Sequence, residues 1–297
     1  MAVKVPPKDL PLLLPALKKQ LPMSLCVYTP ISLITRGLTG YDVYVDRLPE
    51  VSSVVVITNE EGLNDHDHEK TTCIYTSEDT EDVVLRDLLG KSGLLNQPVI
   101  VAPFVSLKTN RIIKDISCTE GSFVEHLSIT VPLFCCTAVG QLPELPKGYS
   151  ARCLRHEDFE TILTGVWYKD FDYVKSVKRV LALGALSVGV EDSSGKLVAW
   201  TLQHMSGMLG MTFVIPEHRN KKLGKYVTVA LTQKMIAQDG FCLAGIEEEN
   251  SVSVALHEGV GFIKMDQPFV TSVYYKKGCD AGIEHIKIPS SENKMWK

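Results

Sequence analysis

One segment narrows what this chain can fold into more than any other: residues 209–238. A β-branched and aromatic run at 209–215 meets Pro216 and then a turn carrying Arg219, Lys221 and Lys222. Gly224 follows, and an apolar helical pattern over 223–238 closes at Asp239 and Gly240. A strand that enters a helix through a short cationic turn aims free backbone N–H groups at one spot, and the helix dipole adds positive potential there. Gly224 lets the backbone approach a ligand closely. The pattern suits a pyrophosphate, with the cations neutralising its charge. A solvated charged turn before an amphipathic helix has the same local sequence, so the turn alone does not decide.

A second element is Asn250-Ser-Val-Ser-Val-Ala-Leu-His-Glu-Gly-Val-Gly-Phe262. It reads as a short helix over 251–258, capped by Asn250 or Ser251. Together the two stretches resemble the GCN5-related N-acetyltransferase superfamily. The first is similar to its acyl-CoA loop, Arg/Gln-x-x-Gly-x-Gly/Ala. The second is similar to its later signature, Asn-x-x-Ala/Ser-x-x-Leu-Tyr-Glu-x-x-Gly-Phe, matched by Asn250, Ser253, Leu256, Glu258, Gly261 and Phe262. Two positions depart from the pattern. Lys222 stands where the loop's first glycine is expected, and His257 replaces the tyrosine that in the superfamily often protonates the leaving thiolate. A histidine has a suitable intrinsic pKa for that step and also serves as a structural replacement.

The rest of the chain is consistent with an ordinary globular protein of about two domains. Of its 297 residues, 45 % are hydrophobic and 22 % charged, enough apolar content for a real core. A net charge of −4 argues against nucleic acid or an anionic membrane as the main partner. No apolar run approaches the roughly 20 residues that span a bilayer. The first 22 residues read as an amphipathic helix rather than a secretory signal, and their lysines leave mitochondrial targeting open. The eight cysteines are scattered with no Cys-x-x-Cys pair, which implies reduced thiols and no zinc ribbon. Asp65, His66, Asp67 and His68 have donor chemistry, but they alternate along a polar loop with no identifiable distant partner, so no metal is expected.

Residues 10–20 predict a helix stopped by Pro22, and 24–28, 51–58, 72–75 and 99–105 predict strands, with a helix over 79–89. Two prolines and a glycine within 141–148 suggest a linker. Beyond it the expected order is a strand at 149–154 and a helix at 156–168. A hairpin at 186–204 and a strand at 209–215 follow, then the long helix. A strand at 241–246, the helix at 251–258 and a strand at 269–275 complete it. The expected organisation is an α/β N-terminal domain over 1–145, an acyltransferase domain over 146–278 and a polar tail over 279–297. The fold class is α+β, a mixed and mostly antiparallel sheet flanked by helices. No internal sequence repeat is visible, and the N-terminal half shows no chemical motif.

A closer resemblance extends through that half. Residues 17–28 (Leu-Lys-Lys-Gln-Leu-Pro-Met-Ser-Leu-Cys-Val-Tyr), 45–51 (Val-Asp-Arg-Leu-Pro-Glu-Val), 54–56, Asp67-His68 and 215–219 (Ile-Pro-Glu-His-Arg) are similar to the glycine N-acyltransferase family. The resemblance implies transfer of an acyl group from acyl-CoA to the amino group of glycine or another amino acid, in mitochondria or alternatively the cytoplasm. It implies Glu217 as general base, with His218 and Glu248 next, and His257 as candidate acid. It places the cofactor on Val214, Ile215, Arg219, Asn220, Lys221, Lys222, Leu223, Gly224, Lys225, Asn250 and Ser253. An amino acid is an ammonium at neutral pH, so a carboxylate that takes its proton is a chemical requirement the family meets at the position of Glu217. Backbone N–H groups near Val214 and Ile215 would hold the carbonyl oxygen as charge develops. Trp167, Tyr168 and Trp200 suit an acyl pocket or simply a core. Two rival readings keep the same fold: a non-catalytic acyl-CoA-binding protein, favoured by Lys222 and His257, and a protein lysine acetyltransferase. Oligomeric state is not legible.

Overall fold

The computed structural model describes residues 2–59, 70–119, 122–165 and 172–278. The chain divides into two compact units, one of Met1–Val131 with the segment from Pro268, the other of Pro132–Gln267.

Unit 1 begins with β1 (Val3–Val5), α1 (Leu14–Lys18) and α2 (Leu25–Thr35). β2 (Tyr41–Val45), β3 (Ser53–Thr58) and β4 (Lys70–Thr76) follow as an antiparallel meander. α3 (Asp82–Lys91) leads to β5 (Val99–Ser106), and α4 (Leu107–Lys114) to β6 (Phe123–Val131). Ser106 caps α4, its hydroxyl accepting the Thr109 N–H at 3.1 Å. β3 is buried at every position, because α2 and α3 both pack on it. Leu85, Leu88 and Ile112 from the helices meet Val55, Ile74, Ile100 and Val105 from the sheet in the core.

Unit 2 contains β7 (Leu133–Cys136), β8 (Ser150–Arg152), α5 (Phe159–Leu163), α6 (Asp172–Ala182), β9 (Ser187–Glu191), β10 (Leu197–Gln203) and β11 (Leu209–Val214). α7 (Leu223–Asp239), β12 (Cys242–Gly245), α8 (Ser251–Glu258) and β13 (Ile263–Lys264) complete it. α7 packs across β9, β10 and β11, and Leu223, Val227 and Leu231 interlock with Val188, Val198 and Leu209. Gly240, at φ 84°, ends α7 in the left-handed conformation its position requires. The final strand, β14 (Phe269–Lys276), belongs to unit 1, where it pairs with both β5 and β6.

Both sheets have seven strands in the same order. Unit 1 runs β1-β2-β3-β4-β5-β14-β6, and unit 2 runs β8-β9-β10-β11-β12-β7-β13. In each, the fourth and fifth strands are parallel and the other neighbours antiparallel. Helices occupy the same three connections. The structure therefore contains a duplicated topology that the sequence does not display as a repeat. Each sixth position is filled by a strand distant in sequence: β14 in the first sheet, and β7, which follows β6 directly, in the second.

Three expectations change. Residues 24–28 lie at the start of α2, not in a strand, because an apolar run inside a core suits either element. The division between units falls at Val131–Pro132, not near residue 145, and the segment 141–148 lies within unit 2. β14 joins the first sheet, not the second. The loop with Asp65 to His68, the pair Trp167 and Tyr168, and the tail 279–297 lie outside the described residues.

Candidate active-site cleft

In unit 2, β11 and β12 pair in parallel at Leu209↔Ala244 and then part. On its other side β11 stays paired with β10 as far as Val214↔Ala199. The later residues of β11 thus keep one edge free of a strand. Met211 has φ 52°, a conformation costly for a side-chain residue, and it bends β11 where the strands separate.

Beyond β11, Pro216–His218 form a single 3-10 turn and α7 starts at Leu223. Asn220 and Lys222 both have φ 61°. Alternating the backbone through the left-handed region turns consecutive N–H groups to one side, a geometry that binds anions. Among the described residues, none of the backbone N–H groups from Asn220 to Lys225 has an intramolecular acceptor, and the first return bond of the helix is Tyr226 N–H to Lys222 O at 3.0 Å. The start of α7 is left uncapped by any side chain.

These groups border a cleft of about 550 Å³. Val214, Arg219, Asn220, Lys222, Leu223, Gly224, Lys225, Asn250 and Ser253 line it, together with Gly165, Thr212, Phe213, His218, Val252 and Leu256. Among the described residues its charged side chains, Arg219, Lys222 and Lys225, are all basic, and no carboxylate lines it. The Arg219 guanidinium lies 5.7 Å from the centre of the Phe213 ring while its Nε donates to the Val214 carbonyl at 3.2 Å. Asn250 caps α8, its side-chain oxygen accepting the Ser253 N–H at 3.1 Å. A Cβ on Gly224 would lie 3.5 Å from Val214 and 3.9 Å from Leu256, ordinary contacts. The protein alone therefore does not demand glycine here; a ligand close to the backbone would.

Ile215, Lys221, Glu217, His257 and Glu248, all expected at the site, lie off the lining. Ile215 packs against the core of the unit. Lys221 donates to the Tyr149 hydroxyl at 2.8 Å, with its ammonium 5.5 Å from the centre of that ring. Glu217 is exposed on the 3-10 turn. His257 is 3 % exposed and stands edge-on to Phe262. Its Nδ1 lies 2.8 Å from the Ser253 carbonyl oxygen, which only accepts, so Nδ1 carries the proton. Burial lowers the pKa of His257, and the Ser253 bond only partly opposes this. The ring is therefore neutral at pH 7 with its N–H committed, the wrong state for donating a proton to a leaving group. Glu248 is exposed and paired with Lys264.

The sequence did not single out Tyr149, Gly165 or Phe213. Lys221 only donates, so Tyr149 turns its O–H to His218 Nδ1, 2.9 Å away, and His218 Nε2 faces Asp192 at 3.9 Å. Gly165 stands where a Cβ would come within 2.7 Å of Phe213 and 2.9 Å of Trp200. A glycine at the end of a helical pattern was the available signal for it. Trp200 is fully buried and belongs to the core. Among the described residues no group of three metal-binding side chains converges, and no helix is long and apolar enough to cross a membrane.

The sheet that splays between its parallel fourth and fifth strands, with an N–H-rich turn on the fourth, is the fold of the GCN5-related N-acetyltransferases. A sequence model of FR47-like proteins matches residues 187–270, from β9 into β14. A Drosophila protein of known structure is similar over 93 % of this chain and 98 % of its own, with TM-score 0.69 and 18 % identity. A tandem GNAT protein from the clavulanic acid biosynthesis pathway covers 94 % of this chain and 99 % of its own, with TM-score 0.56 and 15 % identity. A GCN5-related N-acetyltransferase from Sphaerobacter thermophilus covers 93 % and 95 %, with TM-score 0.52 and 12 % identity. At these identities the likeness concerns the fold. No curated protein matches the sequence.

Proposed function

We propose that unit 2 is an acyl-CoA-dependent N-acyltransferase whose acceptor is an amino acid, glycine foremost. The observation that carries the reading is the row of uncommitted N–H groups from Asn220 to Lys225 beside three cations and, among the described residues, no carboxylate. A diphosphate is the ligand such a seat suits. CoA adds a pantetheine arm with two amides, and the free edge of β11 offers backbone groups to pair with them. The thioester would then lie where β11 and β12 part. The amine nitrogen attacks the thioester carbonyl, the C–S bond breaks as the tetrahedral intermediate collapses, and CoA leaves as a thiolate that takes up the proton the nitrogen sheds. No covalent acyl-enzyme is needed. Glycine as acceptor rests on the resemblance of residues 17–56 and 215–219 to the glycine N-acyltransferases.

Glu217 enters as base through that resemblance alone, since its carboxylate is exposed and off the lining. His257, buried and neutral, is not part of the proposed chemistry. These two placements favour a second reading, a protein that binds acyl-CoA without turning it over. The purified chain, incubated with panels of acyl-CoAs and amino acids, separates the two by thiol release. Release that requires both an acyl-CoA and glycine supports the transferase. CoA binding without acceptor-dependent release leaves the binding protein. In the first case, a sharp loss in Glu217→Gln assigns the base, and retained turnover removes Glu217 from the mechanism.

A further inference from the structure

Unit 1 has a cavity at the equivalent point of its own sheet. β4 and β5 pair at Lys70↔Ile100 and Thr71↔Val101 and not beyond. The space past that point encloses about 240 Å³. Phe104, at φ 55° in β5, is bent there as Met211 is bent in β11. The surroundings, however, have the opposite polarity. The turn from β4 to α3 carries Glu78, Asp79 and Glu81 and no basic residue. Its carbonyls converge instead of its N–H groups: Ser77 O, Glu78 O and Thr80 O accept from the Lys108 ammonium at 3.1, 2.6 and 2.5 Å. The equivalent of an anion seat is thus a cation seat, already holding an ammonium of the chain itself.

The cavity walls continue that polarity. Three of their donors are committed: Tyr75 O–H to the Gln20 side-chain oxygen, one Gln20 amide N–H to Val51 O at 3.3 Å, and the Cys26 thiol to Ile74 O at 3.5 Å. The hydroxyls pair, Ser106 with Thr109 at 3.0 Å, Thr76 with Ser53 at 2.7 Å and Ser77 with Thr80 at 2.6 Å, so each pair keeps one O–H that can turn and lone pairs that accept. The one ionised group on the wall is the Glu78 carboxylate, the Tyr75 oxygen also accepts, and among the described residues no Lys, Arg or His lines the space. Met23, Ile74 and Phe104 supply apolar wall. Burial pushes the Cys26 thiol up to about 12, so it forms wall and not a nucleophile. An ammonium pairs with that carboxylate and donates to the Tyr75 and hydroxyl oxygens, whereas an anion would face Glu78 with no cation on the wall to meet it. We propose that this cavity is a second ligand site, taking a small organic ammonium (a primary amine on a short apolar group), and that it excludes CoA.

The inference does not depend on the transferase reading of unit 2. The test is methyl NMR of the full chain titrated with butylammonium, 1-butanol and butyrate, followed at Met23 and Ile74. Butylammonium is expected to shift both signals saturably and to bind about fivefold or more tighter than butanol, with butyrate causing no shift. Glu78→Gln should weaken butylammonium about fivefold while leaving Tm unchanged, since the side chain is exposed. Saturating CoA should leave both signals in place. Butanol or butyrate binding as tightly, indifference to Glu78→Gln, or movement of these signals with CoA would overturn the proposal.

Discussion

The two units build turns of opposite polarity on one topology. In unit 2 the turn after the fourth strand leaves its N–H groups unspent, with Arg219, Lys222 and Lys225 around them. In unit 1 the equivalent turn gathers carbonyls around Lys108 and carries acidic side chains. The strand order, the helices and the splay between parallel strands are shared. The fold therefore supplies an opening in the sheet, and a few residues of one turn decide the charge of what can occupy it. A duplicated topology in this chain does not imply a duplicated activity.

The comparison can be broken most forcefully at the cationic turn. Reversing two charges, Arg219→Glu with Lys222→Glu, should weaken CoA binding about a hundredfold or more, read by calorimetry. Both side chains are on the surface of the turn, so the fold should survive, and circular dichroism checks this. Acid is the next lever. His204 in unit 2 is buried, and desolvation holds its pKa at about 4. The unfolded chain takes up this proton near pH 6.5 and the folded chain does not. Stability is thus fully present above pH 6.5 and falls as pH drops toward 4, by up to about 3 kcal/mol. Buried His257 acts in the same direction. Unit 1 has exposed His126 and, among its described residues, no buried histidine. Thermal melts at pH 7 and pH 4.5 should show unit 2 losing more than unit 1.

Smaller effects sharpen the contrast. Lys108→Met leaves three carbonyls without their donor and should cost unit 1 about 2 kcal/mol, seen in denaturant midpoints, with CoA affinity unchanged. Lys222→Gly should relieve the left-handed backbone and stabilise unit 2 by up to about 1 kcal/mol. The same change should weaken CoA severalfold, because it removes a lining cation. Stability and affinity moving in opposite directions would mean that Lys222 is kept for binding at a cost in backbone strain.

Much of unit 2 was legible in the sequence because its signals are local. α8 spans residues 251–258 with Asn250 as its cap, and α7 ends at Gly240, each as side-chain chemistry and spacing indicate. The cation-rich turn was legible for the same reason. What escaped depends on distant residues. Strand β14 follows β13 by only a few residues yet pairs in the other sheet, and no local pattern encodes a partner. The repeat is one of strand order and not of residues. The helix α2 was hidden by an apolar run that suits a buried helix or a buried strand equally. His257 was identifiable as a departure from a motif. Only its burial and the Ser253 carbonyl reveal a neutral ring with its proton already committed.

The most direct test of the account is the stoichiometry and location of CoA binding. Calorimetric titration of the intact chain should give one CoA per chain. That binding should vanish in Arg219→Glu with Lys222→Glu and persist in Lys108→Met. Two CoA per chain, or binding that survives the double charge reversal, would contradict the claim that the turn of unit 2 is the cofactor seat and that of unit 1 is not.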